Sequence, residues 1–119
     1  MMTIINLLAS YPTYNLASFS SRMSDALDCV DFVERESGNY IDGRYFVGEI
    51  DGIKIVVAIS DETDHNDLPY WIILSSDKIT KDNLIRFTDN IVMNKLIPNG
   101  FSVARFVSFG HINERRINY

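Results

Sequence analysis

Seven consecutive residues, Asp61-Glu62-Thr63-Asp64-His65-Asn66-Asp67, gather four carboxylates and one imidazole into a short polar stretch. Such a run suggests a cation site first. A helix-loop-helix calcium loop needs oxygen ligands at positions 1, 3 and 5, glycine at 6 and glutamate at 12. Counted from Asp61, position 6 is Asn66 and position 12 is Ile72, so the spacing fails. One histidine among carboxylates is also a poor zinc ligand set. His111, beside Gly110 and near Arg105, Arg115 and Arg116, could hold a phosphate or act as a base, but it reads better as a turn histidine beside a short basic tail. Gly38, Gly43, Gly48 and Gly52 are spaced as turns and bulges would space them, not as a phosphate loop. No Gly-x-Ser-x-Gly elbow and no Cys-x-x-Cys pair occurs, and the single cysteine, Cys29, reads as a small buried hydrophobe. The sequence therefore predicts no catalytic residue, no metal, no cofactor and no enzyme activity.

Charge is the more informative signal. Residues 25–67 hold twelve acids against three bases, a net of −9, whereas the rest of the chain carries four acids and eight bases, a net of +4. An acidic field of this kind repels nucleic acid and attracts a basic surface. The acids fall at strand ends, turns and one loop, so many of them are expected to share one rim of a sheet, the alternative being charges scattered for solubility.

The elements that would position them can be read from periodicity. Thr3–Ala9 reads as a short helix or turn stopped by Pro12. Leu16, Phe19, Met23, Ala26, Leu27 and Val30 recur at helical spacing behind a candidate N-cap, Asn15. Near Cys29 to Glu36 the period changes to two, and Ser37-Gly38-Asn39 makes a turn. A strand pattern runs from Tyr40 to Ile50, interrupted near Asp42-Gly43. Asp51-Gly52 joins it to Ile53–Ile59, and two β-rich runs linked by Asp-Gly predict a hairpin with a type I′ turn. Pro69–Ser75 is a further strand, Thr80 caps a second long helix ending at Pro98-Asn99-Gly100, and Phe101–Phe109 alternates as a strand. Ile112–Tyr119 could add an edge strand. This order predicts one α+β domain over 1–119, with a mainly antiparallel sheet of about five to six strands and two longer helices packed on it.

Bulk properties agree. With 119 residues, 46% apolar and 23% charged, the chain fits one globular core without staples. Its apolar start has no preceding Lys or Arg, and no run approaches the roughly 18 residues of a membrane span, so a cytoplasmic, membrane-free protein is expected.

Several segments together carry a resemblance: Met2-Thr3-Ile4-Ile5-Asn6-Leu7-Leu8, the hairpin from Gly48 to Ile55, the strand Leu68-Pro69-Tyr70-Trp71-Ile72-Ile73-Leu74, and the acidic stretch between them. In size and style the chain resembles the immunity proteins of bacterial contact-dependent growth inhibition, which neutralise the toxin domain of a secreted effector. The resemblance implies a monomer that forms a heterodimer with a cognate toxin, a nuclease with a basic cleft, without contacting nucleic acid itself. An acidic protein can cover such a cleft by imitating the phosphate chain. On the charge map the expected contacts are Asp61, Glu62, Asp64 and Asp67, with Glu49, Asp51 and Asp42 as a second cluster at the hairpin and Tyr40 or Tyr45 as a packed anchor. The alternative is a small ligand-binding or enzymatic α+β domain with a pocket between helix and sheet.

Overall fold

The Asp51-Gly52 turn forms as its sequence requires. A computed structural model of the chain, describing residues 2–13, 15–28 and 31–119, places Asp51 at φ 51° and Gly52 at φ 80°. Both values are left-handed, which a type I′ turn demands and Asp-Gly supplies at low steric cost. The turn joins strands Arg44–Ile50 and Ile53–Ile59, with Ile50 opposite Ile53 and Phe46 opposite Val57.

In chain order the strands are β1 (Thr3–Ser10), β2 (Val33–Glu36), β3 (Arg44–Ile50), β4 (Ile53–Ile59), β5 (Tyr70–Ser76), β6 (Ser102–Val107) and β7 (Arg115–Asn118). All pairings are antiparallel, and the sheet order is β2-β3-β4-β5-β1-β6-β7. The α+β class stands, with seven strands rather than five or six. The added strand is at the N-terminus.

Thr3–Ala9 is therefore corrected from a short helix or turn to β1, paired on both sides by β5 and β6. Ile5, Leu7 and Ala9 are buried on one face and Leu8 on the other, so the run shows no period of two. With Ile4 and Leu8 on the other face as well, the strand reads as a nearly continuous apolar run, which periodicity cannot separate from a buried helix turn. Asn6, the residue that breaks the run, accepts a hydrogen bond from the Trp71 indole (Nε1 to Oδ1, 3.0 Å).

Two helices cover one face. In α1 (Leu16–Ala26) the Asn15 side chain accepts from the Ser18 N–H at 2.8 Å, as an N-cap should. Leu16, Phe19, Met23, Ala26 and Leu27 are buried, whereas Cys29 and Val30 lie outside the described residues. In α2 (Lys81–Ile91) Thr80 caps the Asn83 N–H at 3.2 Å. The helical path continues through a wide turn, Val92–Leu96, and stops at Gly100, whose φ of 94° admits glycine most easily. Phe19 stacks on Tyr70 with ring centroids 4.1 Å apart, and Leu84, Val92 and Leu96 join Ile5, Leu7, Ile55, Val57, Ile72 and Leu74 in a single core. Among the described residues no helix is long and apolar enough to cross a membrane.

The opposite face carries no helix. Direct cross-strand partners share a face, so Val33, Tyr45, Val47, Val56, Trp71, Ile73, Leu8, Ala104 and Phe106 all lie on it. One end is covered by a second, smaller cluster of Leu8, Leu68, Ala104 and Phe106, with Trp71 and Phe109 against it. The rest is open, with Val33 45% and Ile4 46% exposed.

Candidate partner-binding surface

The segment between β2 and β3 builds the centre of the surface. Ser37 N–H donates to the Gly43 carbonyl at 2.8 Å and Gly43 N–H to the Tyr40 carbonyl at 3.0 Å, closing a tight loop. Asp42 (φ 62°) and Gly43 (φ 67°) are both left-handed, a conformation Asp tolerates better than most side chains. The loop holds the Tyr40 ring over the open face. Its centroid lies 4.8 Å from that of Tyr45 on β3 and 6.1 Å from that of Trp71 on β5. Burial, with the Tyr45 phenol beside it, raises the Tyr40 hydroxyl above its ordinary pKa. The rings continue across the sheet from Trp71 to Phe109 (5.8 Å), Phe106 (5.3 Å) and His65 (4.6 Å).

A cleft of about 250 Å3 opens between this loop and the ends of β4 and β5, lined by Tyr40, Ile41, Ile59, Asp61 and Trp71 among others. Ile41 is 39% exposed at its mouth. Asp42, Asp61 and Asp64 are exposed and Glu62 half-buried at this end of the sheet, and among the described residues no ion pair engages any of the four. Half-buried aromatics ringed by unpaired carboxylates form a surface suited to a cationic, partly apolar partner.

The remaining acids do not join it. Asp42 was expected beside Glu49 and Asp51 at the hairpin. Asp42 precedes β3 and Asp51 follows it, so a seven-residue strand, roughly 20 Å long, separates them. Glu49 and Asp51 therefore sit at the far end of the sheet, where Glu49 faces Lys54 across the hairpin. One shared rim is not what the fold makes.

Asp67 has a partner within the chain. Arg116 of β7 grips its carboxylate in a fork, Nη1 to Oδ1 at 3.0 Å and Nη2 to Oδ2 at 2.7 Å, which holds the carboxyl below its usual range. His65 meets Glu114 at 3.1 Å (Nε2 to Oε2) and lies 3.4 Å from Arg116 through Nδ1. Glu114 also accepts the Gly110 N–H at 2.9 Å, the main reason its carboxyl is held low, with His65 second. These bonds pin the acidic loop to the β6–β7 connection. Both ring nitrogens of His65 are thus engaged by Glu114 and Arg116, and among the described residues no three His, Cys, Asp or Glu side chains converge on a cation position.

The fold brings together Tyr40, Tyr45, Asp42, Asp61, Glu62 and Asp64, sets Glu49 and Asp51 apart, and commits Asp67 internally. Trp71 and Ile41 were missed as members of the surface. Trp71 looked like core because its neighbours Tyr70 and Ile72 are core; the period of two that puts it on the other face was present but masked by an unbroken apolar run. No protein-family model matches the chain, and neither a curated protein nor a solved structure was found to be similar to it.

Proposed function

We propose that this chain is an immunity-type inhibitor, which neutralises a cognate toxin domain by covering a basic cleft with the aromatic and acidic end of its sheet. The observation that carries the reading is the Tyr40–Tyr45–Trp71 cluster, half-buried beside a cleft and flanked by the unpaired carboxylates Asp42, Asp61 and Asp64. Aromatic side chains in a desolvated pocket supply most of the energy of many protein interfaces, and a surrounding rim of one charge supplies steering and selectivity. A nuclease toxin suits this surface because its substrate cleft must be lined with Lys and Arg, which an array of carboxylates can occupy. The partner is a protein, and no catalysis is assigned to this chain.

The test is a binding isotherm against basic nuclease domains of secreted toxins, at 50 and 300 mM salt, values chosen as roughly below and above physiological screening. Binding should weaken with salt. Combined reversal of Asp42, Asp61 and Asp64 to Lys should slow association by about tenfold or more, whereas Tyr40→Ala should speed dissociation and cost about 2 kcal/mol. Reversal of Glu49 and Asp51 serves as the control and should leave affinity unchanged. Equal effects from the two acidic ends would remove the assignment to this surface.

A further inference from the structure

A second concave site lies at the other side of the sheet and has the opposite charge. The ladder between β1 and β6 stops at Asn6–Phe106, although β1 starts three residues earlier and β6 runs on to Val107. The strands part there, leaving a cleft of about 360 Å3, within the usual range for small-molecule sites. Its walls are mixed: Ile4, Ile5, Ile85, Phe106, Val107 and Phe109 supply the apolar part, and Asn6 and Ser108 are polar. Its charged side chains are all basic: Lys81 from the first turn of α2 and Arg105 from β6, with His111 beside them and no carboxylate in the lining.

Arg105 is the unusual residue. It occupies an inward position on β6 between Val103 and Val107, opposite Leu7 on one side and Ile117 on the other. An apolar side chain would pack there, and arginine is seldom buried without a full set of partners. The Tyr119 hydroxyl lies within its reach and itself donates to Asp89, which answers part of the charge. The Arg105 Nε, however, is buried with no acceptor among the described residues. An unmatched donor of this kind marks Arg105 as a cation whose charge the chain itself answers only in part. Lys81 donates to the Ile4 carbonyl at 2.6 Å, so its ammonium is held at the cleft rather than extended into solvent.

We propose that this cleft binds a small organic anion with an apolar body, of the medium-chain carboxylate class, its head group on Lys81 and Arg105 and its chain in the gap between the parted ends of β1 and β6. The site is independent of the toxin-binding surface, which lies at the β3–β5 end of the sheet.

Octanoate, inorganic phosphate and uncharged octanamide are the probes, each titrated into the full chain at pH 7 while backbone amide NMR shifts are followed. Octanoate should give saturable shifts centred on Ile4, Ile5, Ile85 and Phe106, with a dissociation constant on the order of 0.1–1 mM, as expected for a fragment-sized ligand. Phosphate and octanamide should each bind about tenfold more weakly, since one lacks the body and the other the charge. Lys81→Met and Arg105→Met should each weaken octanoate by about three- to tenfold; should Arg105→Met fail to fold, Lys81→Met, at an exposed position, carries the comparison. Phosphate binding as well as octanoate would overturn the apolar-bodied ligand, and octanamide binding as well would overturn the role of the cations. Shifts that do not saturate, map elsewhere or ignore the Lys81 variant would overturn the site.

Discussion

The hydrogen bond from the Trp71 indole to Asn6 offers a direct test of where the N-terminal segment lies. The two residues are 65 positions apart in the chain and meet only if residues 3–10 form a strand beside β5. Asn6→Ala removes the acceptor from a half-buried N–H. Full burial of an unpaired donor costs about 1–3 kcal/mol, and partial access to water places this case near the lower end, about 1 kcal/mol. For a chain of 119 residues that corresponds to a fall in Tm of about 4 °C. Trp71→Phe removes the donor and also some ring area, so its single effect is larger. The area loss appears in both arms of a double-mutant cycle and cancels, leaving a coupling of about 1 kcal/mol for the pair. Urea denaturation followed by far-UV circular dichroism measures all four proteins without relying on the lost indole. Additive effects, with coupling below about 0.3 kcal/mol, would refute the bond and with it the register of β1 against β5.

Other outcomes follow from single features. Leu7→Ala should destabilise by about 3 kcal/mol in the same assay, because Leu7 is fully buried on the helix-covered face of a central strand. Thr88→Val should stay within about 1 kcal/mol of the parent, since its buried hydroxyl donates only to the Leu84 carbonyl one turn back (2.8 Å). Gly52→Ala should cost about 1–2 kcal/mol; the site has open space, so the loss comes from its φ of 80° alone. The loop 61–67 should lose amide protection in acid. Asp67 and Glu114 are both held below their ordinary values, so their bonds to Arg116, Gly110 and His65 are fully present above an ordinary carboxylate pKa of about 4 and are lost as pH falls through the lowered values. Hydrogen exchange followed from pH 7 downward reads this, and protection already lost at or above the ordinary carboxylate value would exclude the clamp.

Much of the fold could be read from local chemistry. The Asp51-Gly52 hairpin, the Asn15 and Thr80 caps and the stripe Leu84, Thr88, Ile91 are all written within one turn of helix or one pair of strands. The N-terminal strand was hidden because apolar residues stand on both its faces, Ile4 and Leu8 on one and Ile5, Leu7 and Ala9 on the other, which erases the alternation that marks a strand. Placing β1 between β5 and β6 depends on contacts far along the chain, and no local rule encodes them. The candidate surface was legible in part. Tyr40, Tyr45 and the acidic loop were visible as residue types, but which acids stand together depends on strand direction. Asp42 and Asp51 flank the same strand, so its length alone forces them apart. The Asp67–Arg116 fork spans 49 residues and had no sequence signal.

The central position of β1 also sets the order in which the molecule can be assembled. Leu7 pairs with Ile72 and Arg105, so β1 must wait for segments made much later. Strands β2 to β5 follow one another along the chain and are adjacent in the sheet, so this meander can form from short-range contacts. Closing the sheet then requires an apolar N-terminal strand to insert against β5 and receive β6 on its other edge. Contacts of such long sequence separation slow folding, toward the millisecond-to-second range of sheet-rich domains. Until residues 102–107 have been made, β1 has an unpaired, apolar edge, and the nascent chain is most exposed to misassociation during that interval.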